Sequence, residues 1–248
     1  MKLWPMLAAG LALALPAHAI DWNELLKGVL GKPAGEQQTA TGIDALSSTE
    51  INAGLKEALT RGADAAVAQL GKQDGFFGDK KLRIPLPEPL KKAESAMRVL
   101  GMGRQADDLV LAMNRAAEAA VPEARILLVD AVKDMTLEDA KGILAGGKTS
   151  ATDFFRRKTE ARLNERFLPI VKTTTDKIGL AQQYNRYAGV AAQYNLVDKK
   201  QANVEQYVTQ EALDRLYILI GEKEAAIRAN PLQAGSDLLK KVFGAVAN

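Results

Sequence analysis

From Asp44 to the end of the chain, apolar residues return every three or four positions, and glycine or proline breaks the pattern before any run becomes long. That period lines up side chains on one face of a helix, whereas a half-buried strand needs strict alternation, which is nearly absent here. The chain is therefore expected to be all-α: a single irregular bundle of about nine or ten short helices, with no sheet. Ser47-Ser48-Thr49-Glu50 reads as a capping box that opens a helix ending before Gly71. Further helices are predicted over residues 89–100, 104–120, 122–135, 137–145, 151–167, 169–178, 180–195, 204–229 and 236–243. Pro122, Pro169 and Pro231 set several of these limits, since proline lacks the amide a helix interior needs. Between the first two helices, DGFFGDKKLRIPLPEP (74–89) carries three prolines and should cross the surface extended, pinned by Phe76, Phe77, Leu82, Ile84 and Leu86.

The amino terminus has a different character. Lys2, an apolar run from Leu3 to Leu15, Pro16 and the small-x-small triplet Ala17-His18-Ala19 form the three-part layout of a secretory leader. The run is shorter than the roughly 20 residues needed to span a bilayer. Cleavage is expected after Ala19, so residues 1–19 form a signal peptide, 20–43 a short helix and flexible tether, and 44–248 the helical domain. The expected location is periplasmic or secreted. No cysteine follows the cleavage point, so no lipid anchor is expected, and the shortness of the apolar run argues against a transmembrane chain.

Cleavage also removes chemistry. His18 is the one histidine in the sequence, and there is no cysteine. The processed chain thus lacks the residues for Ser-His-Asp or Cys-His catalysis, for disulfides, and for zinc sites built from His and Cys. With Lys2 gone, 32 basic residues face 30 acidic ones. The basic stretches 80–104 and 156–166 are interleaved with acids, which is the look of a solvated face rather than a nucleic-acid surface.

Gly142 to Thr149, GILAGGKT, matches the phosphate-loop pattern G-x-x-x-x-G-K-T. The match lacks its context, a strand running into a glycine loop that opens a helix. Thr136 instead reads as an N-cap, with Glu138 and Asp139 in the first turn and Leu137, Ala140, Ile143 and Leu144 at helical spacing. Gly142 then lies mid-helix, Gly146-Gly147 ends that helix, and Ser150 or Thr152 caps the next. No nucleotide, nucleic acid, metal or other cofactor is expected. The acids Asp130, Asp134, Glu138 and Asp139 lack the spacing of a calcium loop.

RIPLPEPL (83–90), MNRAAEAAVPEA (113–124), MTLEDAKGIL (135–144), ATDFFRRKT (151–159), FLPIVK (167–172) and QYVTQEALD (206–214) resemble the signatures of a family of secreted, all-helical proteins of Gram-negative bacteria, classed as a domain of unknown function. The resemblance implies an exported helical protein and carries no activity. Glu94-Ser95, and Tyr184-Asn185 before Ala188-Gly189, resemble elements of lytic transglycosylases, whose glutamate is general acid and base. The Gly-Leu-Met-Gln-like run that should follow is missing, and Glu94 sits between Lys91 and Arg98 at ion-pair spacing. Two polar groups stand out on helices of small and apolar residues: Asn114, Arg115 and Glu118, and Asp153, Arg156 and Thr159. They are candidate contacts to a ligand or partner, and the alternative is ion pairing between packed helices. The expected function is a non-catalytic binding or interaction module acting on an envelope protein or a small ligand. A carboxylate-dependent glycan-cleaving enzyme is the alternative, and a peripheral protein touching anionic lipid the second alternative.

Overall fold

The computed structural model describes residues 48–194, 197–198 and 201–230. The expected leader and tether, Ser47, and the helices expected over 20–30 and 236–243 lie outside these residues. Among the described residues every regular element is helical. In chain order they are α1 (Ser48–Leu70), α2 (Glu88–Val99), α3 (Gly103–Ala120), a 3-10 turn (Val121–Glu123), α4 (Ala124–Lys133), α5 (Leu137–Ala145), α6 (Ser150–Thr175), α7 (Gly179–Gln193) and α8 (Val204–Ala229).

That is fewer helices than the expected nine or ten, and they are not uniformly short: α6 and α8 each run 26 residues and α1 runs 23. The main correction falls at Pro169, predicted as a break and found inside α6. An interior proline costs about 3 kcal/mol by removing one backbone bond. Here it is offset, because Leu163, Phe167, Val171 and Thr175 continue a fully buried stripe straight across the proline. Pro169 and Glu165, whose carbonyl loses its donor, both face solvent, so water can satisfy the freed group.

Helices α6 and α8 form the central pair, with α3 packed along α6 and α1 along both α8 and α4. Phe154, Phe155, Leu163 and Phe167 of α6 meet a core that includes Leu213, Leu216 and Tyr217 of α8. On α3, Ala116, Ala117 and Ala120 are completely buried, and such small side chains let neighbouring backbones approach closely.

Segment 71–87 is irregular, as its prolines require, and Phe76, Leu82, Ile84 and Leu86 are buried while Phe77 is half-buried. Its first bend has Asp74 at φ 63°, followed by Gly75, where a Cβ would lie 2.4 Å from the Leu70 carbonyl oxygen. Only glycine fits there.

Candidate binding cleft

The GILAGGKT residues form the end of one helix and the start of the next. Thr136 and Asp139 make a reciprocal capping box at the head of α5, Gly142 lies within α5, and Gly146 ends it. Gly146 is extended rather than left-handed; glycine is needed because a Cβ would come within 2.5 Å of the Ser150 Cβ. The expected caps of α6 are displaced: Thr149 holds the cap position and makes no side-chain cap bond, while Ser150 is already helical. The cap comes from α8. Glu224 accepts hydrogen bonds from the backbone amides of Ala151 (3.0 Å) and Thr152 (2.9 Å) and from the Thr152 hydroxyl (2.8 Å). Arg228 donates to Glu224 at 2.8 Å and also to the Ile143 carbonyl and the Ser150 hydroxyl. A carboxylate of the protein itself thus fills the positive end of α6, where a phosphate-binding helix would hold its ligand.

The first polar group faces the irregular segment. Asn114 is fully buried; its amide oxygen accepts from the Ile84 amide (2.8 Å) and its nitrogen donates to the Ile84 carbonyl (2.9 Å). Glu118 accepts from the amides of Phe76 (3.1 Å) and Phe77 (3.2 Å) and from Arg115 (2.6 Å). Arg115 reaches on to Asp74 at 2.8 Å. Phe77 lies under the guanidinium of Arg83, 4.4 Å from the ring centre. The three residues act as a clamp that supplies polar partners to a segment with no helix or sheet of its own.

The second group faces α8. Arg156 donates to Asp214 (2.8 Å) and Glu160 (3.2 Å) and lies 4.5 Å over the ring of Tyr217. Thr159 donates to the Phe155 carbonyl and shares a 2.9 Å bond with the Tyr217 hydroxyl, and burial pushes that hydroxyl up to about 12. Asp153 stands apart and is exposed, accepting from Thr149. No hydrogen bond or ion pair among the described residues joins the two groups. Glu94, the glycan-cleavage candidate, is on α2, paired at 2.7 Å with Arg98, which also holds Asp107.

Open concavities lie elsewhere, one of about 460 Å³ between α1 and α4, lined by charged side chains such as Lys56, Arg61 and Lys133, and one of a different lining at α7. Asn185, Gly189, Ala192 and Gln193 of α7 face Ala202, Asn203 and Gln206 at the start of α8 across a cleft of about 550 Å³. Its floor is fixed by Glu205, which is 4% exposed and accepts from both Asn185 (3.1 and 2.9 Å) and Thr175 (3.2 Å). The Asn185 oxygen accepts from the Val204 amide, and Asn203 caps α8 through the Gln206 amide. Tyr184 donates to the Gln201 carbonyl, and burial raises its pKa. These bonds hold the wall still and leave the side chains of Gln193 and Gln206 exposed. Among the described residues the wall carries carboxamides and small residues but no ionisable side chain. Carboxamides both donate and accept, so the cleft can match hydroxyl or amide groups of a neutral ligand. Tyr194, 72% exposed, follows Gln193 directly and adds an aromatic surface beside it. A smaller hollow, between α1, α5, α6 and α8, measures about 30 Å³, the scale of a water molecule.

In the sequence, Asn185 and Gly189 gain functional weight only through the transglycosylase likeness, and Gln193, Asn203 and Gln206 gain none. Amides and small residues carry no reactive signature, and nothing in the spacing brings 189 against 203.

The family model described as "Protein of unknown function (DUF4197)" matches residues 45–244, and the chain belongs to that family. No curated protein and no solved structure matches it.

Proposed function

We propose that this member of the family is an exported, non-catalytic binding module that holds a neutral polar ligand in the α7–α8 cleft. The observation that carries the reading is the cleft wall: among the described residues it presents carboxamides, braced by the bonds of Asn185 to the buried Glu205, and no carboxylate or ammonium group lines it. The buried carboxylates support the absence of acid–base work, since each is engaged by donors of other elements: Glu205 by Thr175 of α6 and Asn185 of α7, Glu224 by the first amides of α6, and Glu118 by the amides of Phe76 and Phe77. Export rests on the leader-like start, and the non-catalytic reading on a processed chain without histidine or cysteine.

Native mass spectrometry of the protein taken from the cell envelope, without refolding, tests both parts. A mass beginning at Ile20 with an added small ligand is expected. Gly189→Leu should release that ligand, because nothing lies within 4 Å of a Cβ at Gly189 and the larger side chain grows into the cleft. A mass that retains Met1 would remove the export reading, and a ligand that survives Gly189→Leu would remove the cleft.

A further inference from the structure

Helix α2 is attached to the bundle by little of its surface. Met97 is its one buried residue, and the helix packs chiefly against α3. The apolar arc of α2 extends past that contact, leaving Ala93 and Ala96 exposed on it. At its end the chain turns back through Gly101, at φ 77°, and the two residues at this apex are the most exposed large hydrophobics on the described surface: Val99 at 88% and Leu100 at 76%. The turn is well made, with the Met102 amide donating to the Met97 carbonyl at 2.8 Å and the Gly101 amide to Arg98 at 3.2 Å. The apolar apex is therefore a built feature of a helical hairpin.

Cations flank it on either side of the turn: Lys92 is exposed about two turns back along α2, and the Arg104 side chain just after the turn is 90% exposed and only loosely paired, 4.0 Å from Asp108. Arg98 is held by Glu94 and Asp107. Among the described residues no helix is long and apolar enough to cross a membrane.

We infer that the α2–α3 tip is a membrane-docking element: Val99 and Leu100 enter the acyl–headgroup boundary of a phospholipid bilayer, and Lys92 and Arg104 contact its phosphates. Amphipathic elements with cations at the margin of an apolar face bind in this way. A protruding two-residue apex cannot supply the roughly 800 Å² per partner that a stable self-association buries, whereas a fluid bilayer accepts it without a matching groove. The docking element is separate from the α7–α8 cleft and stands whether or not that cleft binds a ligand.

Vesicle co-sedimentation tests the inference, using phosphatidylethanolamine vesicles with and without phosphatidylglycerol. The full chain and the double variant Val99→Ser/Leu100→Ser are prepared in the same form, so that residues 1–47 contribute equally to both. Removing two inserted side chains should lower the lipid partition coefficient at least about a hundredfold, with the thermal melt unchanged because neither residue packs in the core. Lys92→Glu/Arg104→Glu should reduce retention severalfold on vesicles that contain phosphatidylglycerol. Equal retention of the wild type and the Val99/Leu100 variant would overturn the inference. So would a wild-type dimer, measured by light scattering, that the same variant abolishes, since it would assign the tip to a second copy.

Discussion

The cap that α8 supplies to α6 gives the sharpest test of how this bundle is held. Glu224→Gln keeps the shape of the side chain and removes its charge. The amide oxygen can still accept from one of the Ala151 and Thr152 amides, but the new NH₂ then points at the other, so one buried donor is left without a partner. An orphaned buried group costs about 1–3 kcal/mol, and loss of the charge-assisted bonds adds about as much again. Arg228 retains the Ile143 carbonyl and the Ser150 hydroxyl and is 23% exposed, which softens the loss of its counter-charge. The expected destabilisation is about 3 kcal/mol, at the lower edge of what breaking a buried pair costs. That corresponds to a drop in Tm of roughly 6–12 °C for a domain of this size. Urea unfolding followed by far-ultraviolet circular dichroism measures it, with Lys91→Gln as control. The Lys91–Glu88 pair is exposed on both sides, and its loss should stay below about 0.5 kcal/mol. A Glu224→Gln protein within about 1 kcal/mol of wild type would refute the claim that this carboxylate caps α6.

Two further outcomes follow from single positions. Gly142→Ala should stabilise the fold by about 1 kcal/mol, because the residue is inside α5 with nothing within 4 Å of a Cβ, and alanine replaces the poorest non-proline helix former; destabilisation in the same urea titration would show that Gly142 is needed for something other than helix. Tyr217 sets an alkaline limit: its folded pKa, near 12, is above the unfolded value of about 10, so its contribution is complete below pH 10 and is lost as pH rises through 12. Unfolding midpoints should fall across that window and fall less steeply in Tyr217→Phe, and parallel profiles would contradict the assignment.

Much of the helix pattern was legible because its signals are local. The limits of α5 and α8 match expectation, since a Thr136–Asp139 box and a steady apolar period act over one turn. The Arg115–Glu118 pair was legible for the same reason, being three residues apart. What it serves was not, because Glu118 acts on amides 41 and 42 positions earlier in the chain. Pro169 misled in the opposite direction: proline is a local signal, and here a tertiary stripe from Leu163 to Thr175 overrode it. The cleft was the least legible part. Its wall is made of residue types that suit almost any surface, and its floor depends on Glu205 meeting Asn185 and Thr175 across two turns of chain.

The order in which the chain is made gives α8 a further consequence. This last described helix caps α6 through Glu224 and carries Tyr217 against Thr159. It also fixes the irregular segment, with Tyr207 donating to the Pro85 carbonyl and Arg215 to that of Arg83. Residues more than a hundred positions apart therefore close on one another only once α8 has been made. Until then α6 has a bare amino terminus and an uncovered aromatic face, so a nascent or truncated chain remains open. Helix α8 thus acts as a latch, the element whose arrival completes both the amino terminus of α6 and the anchoring of the irregular segment.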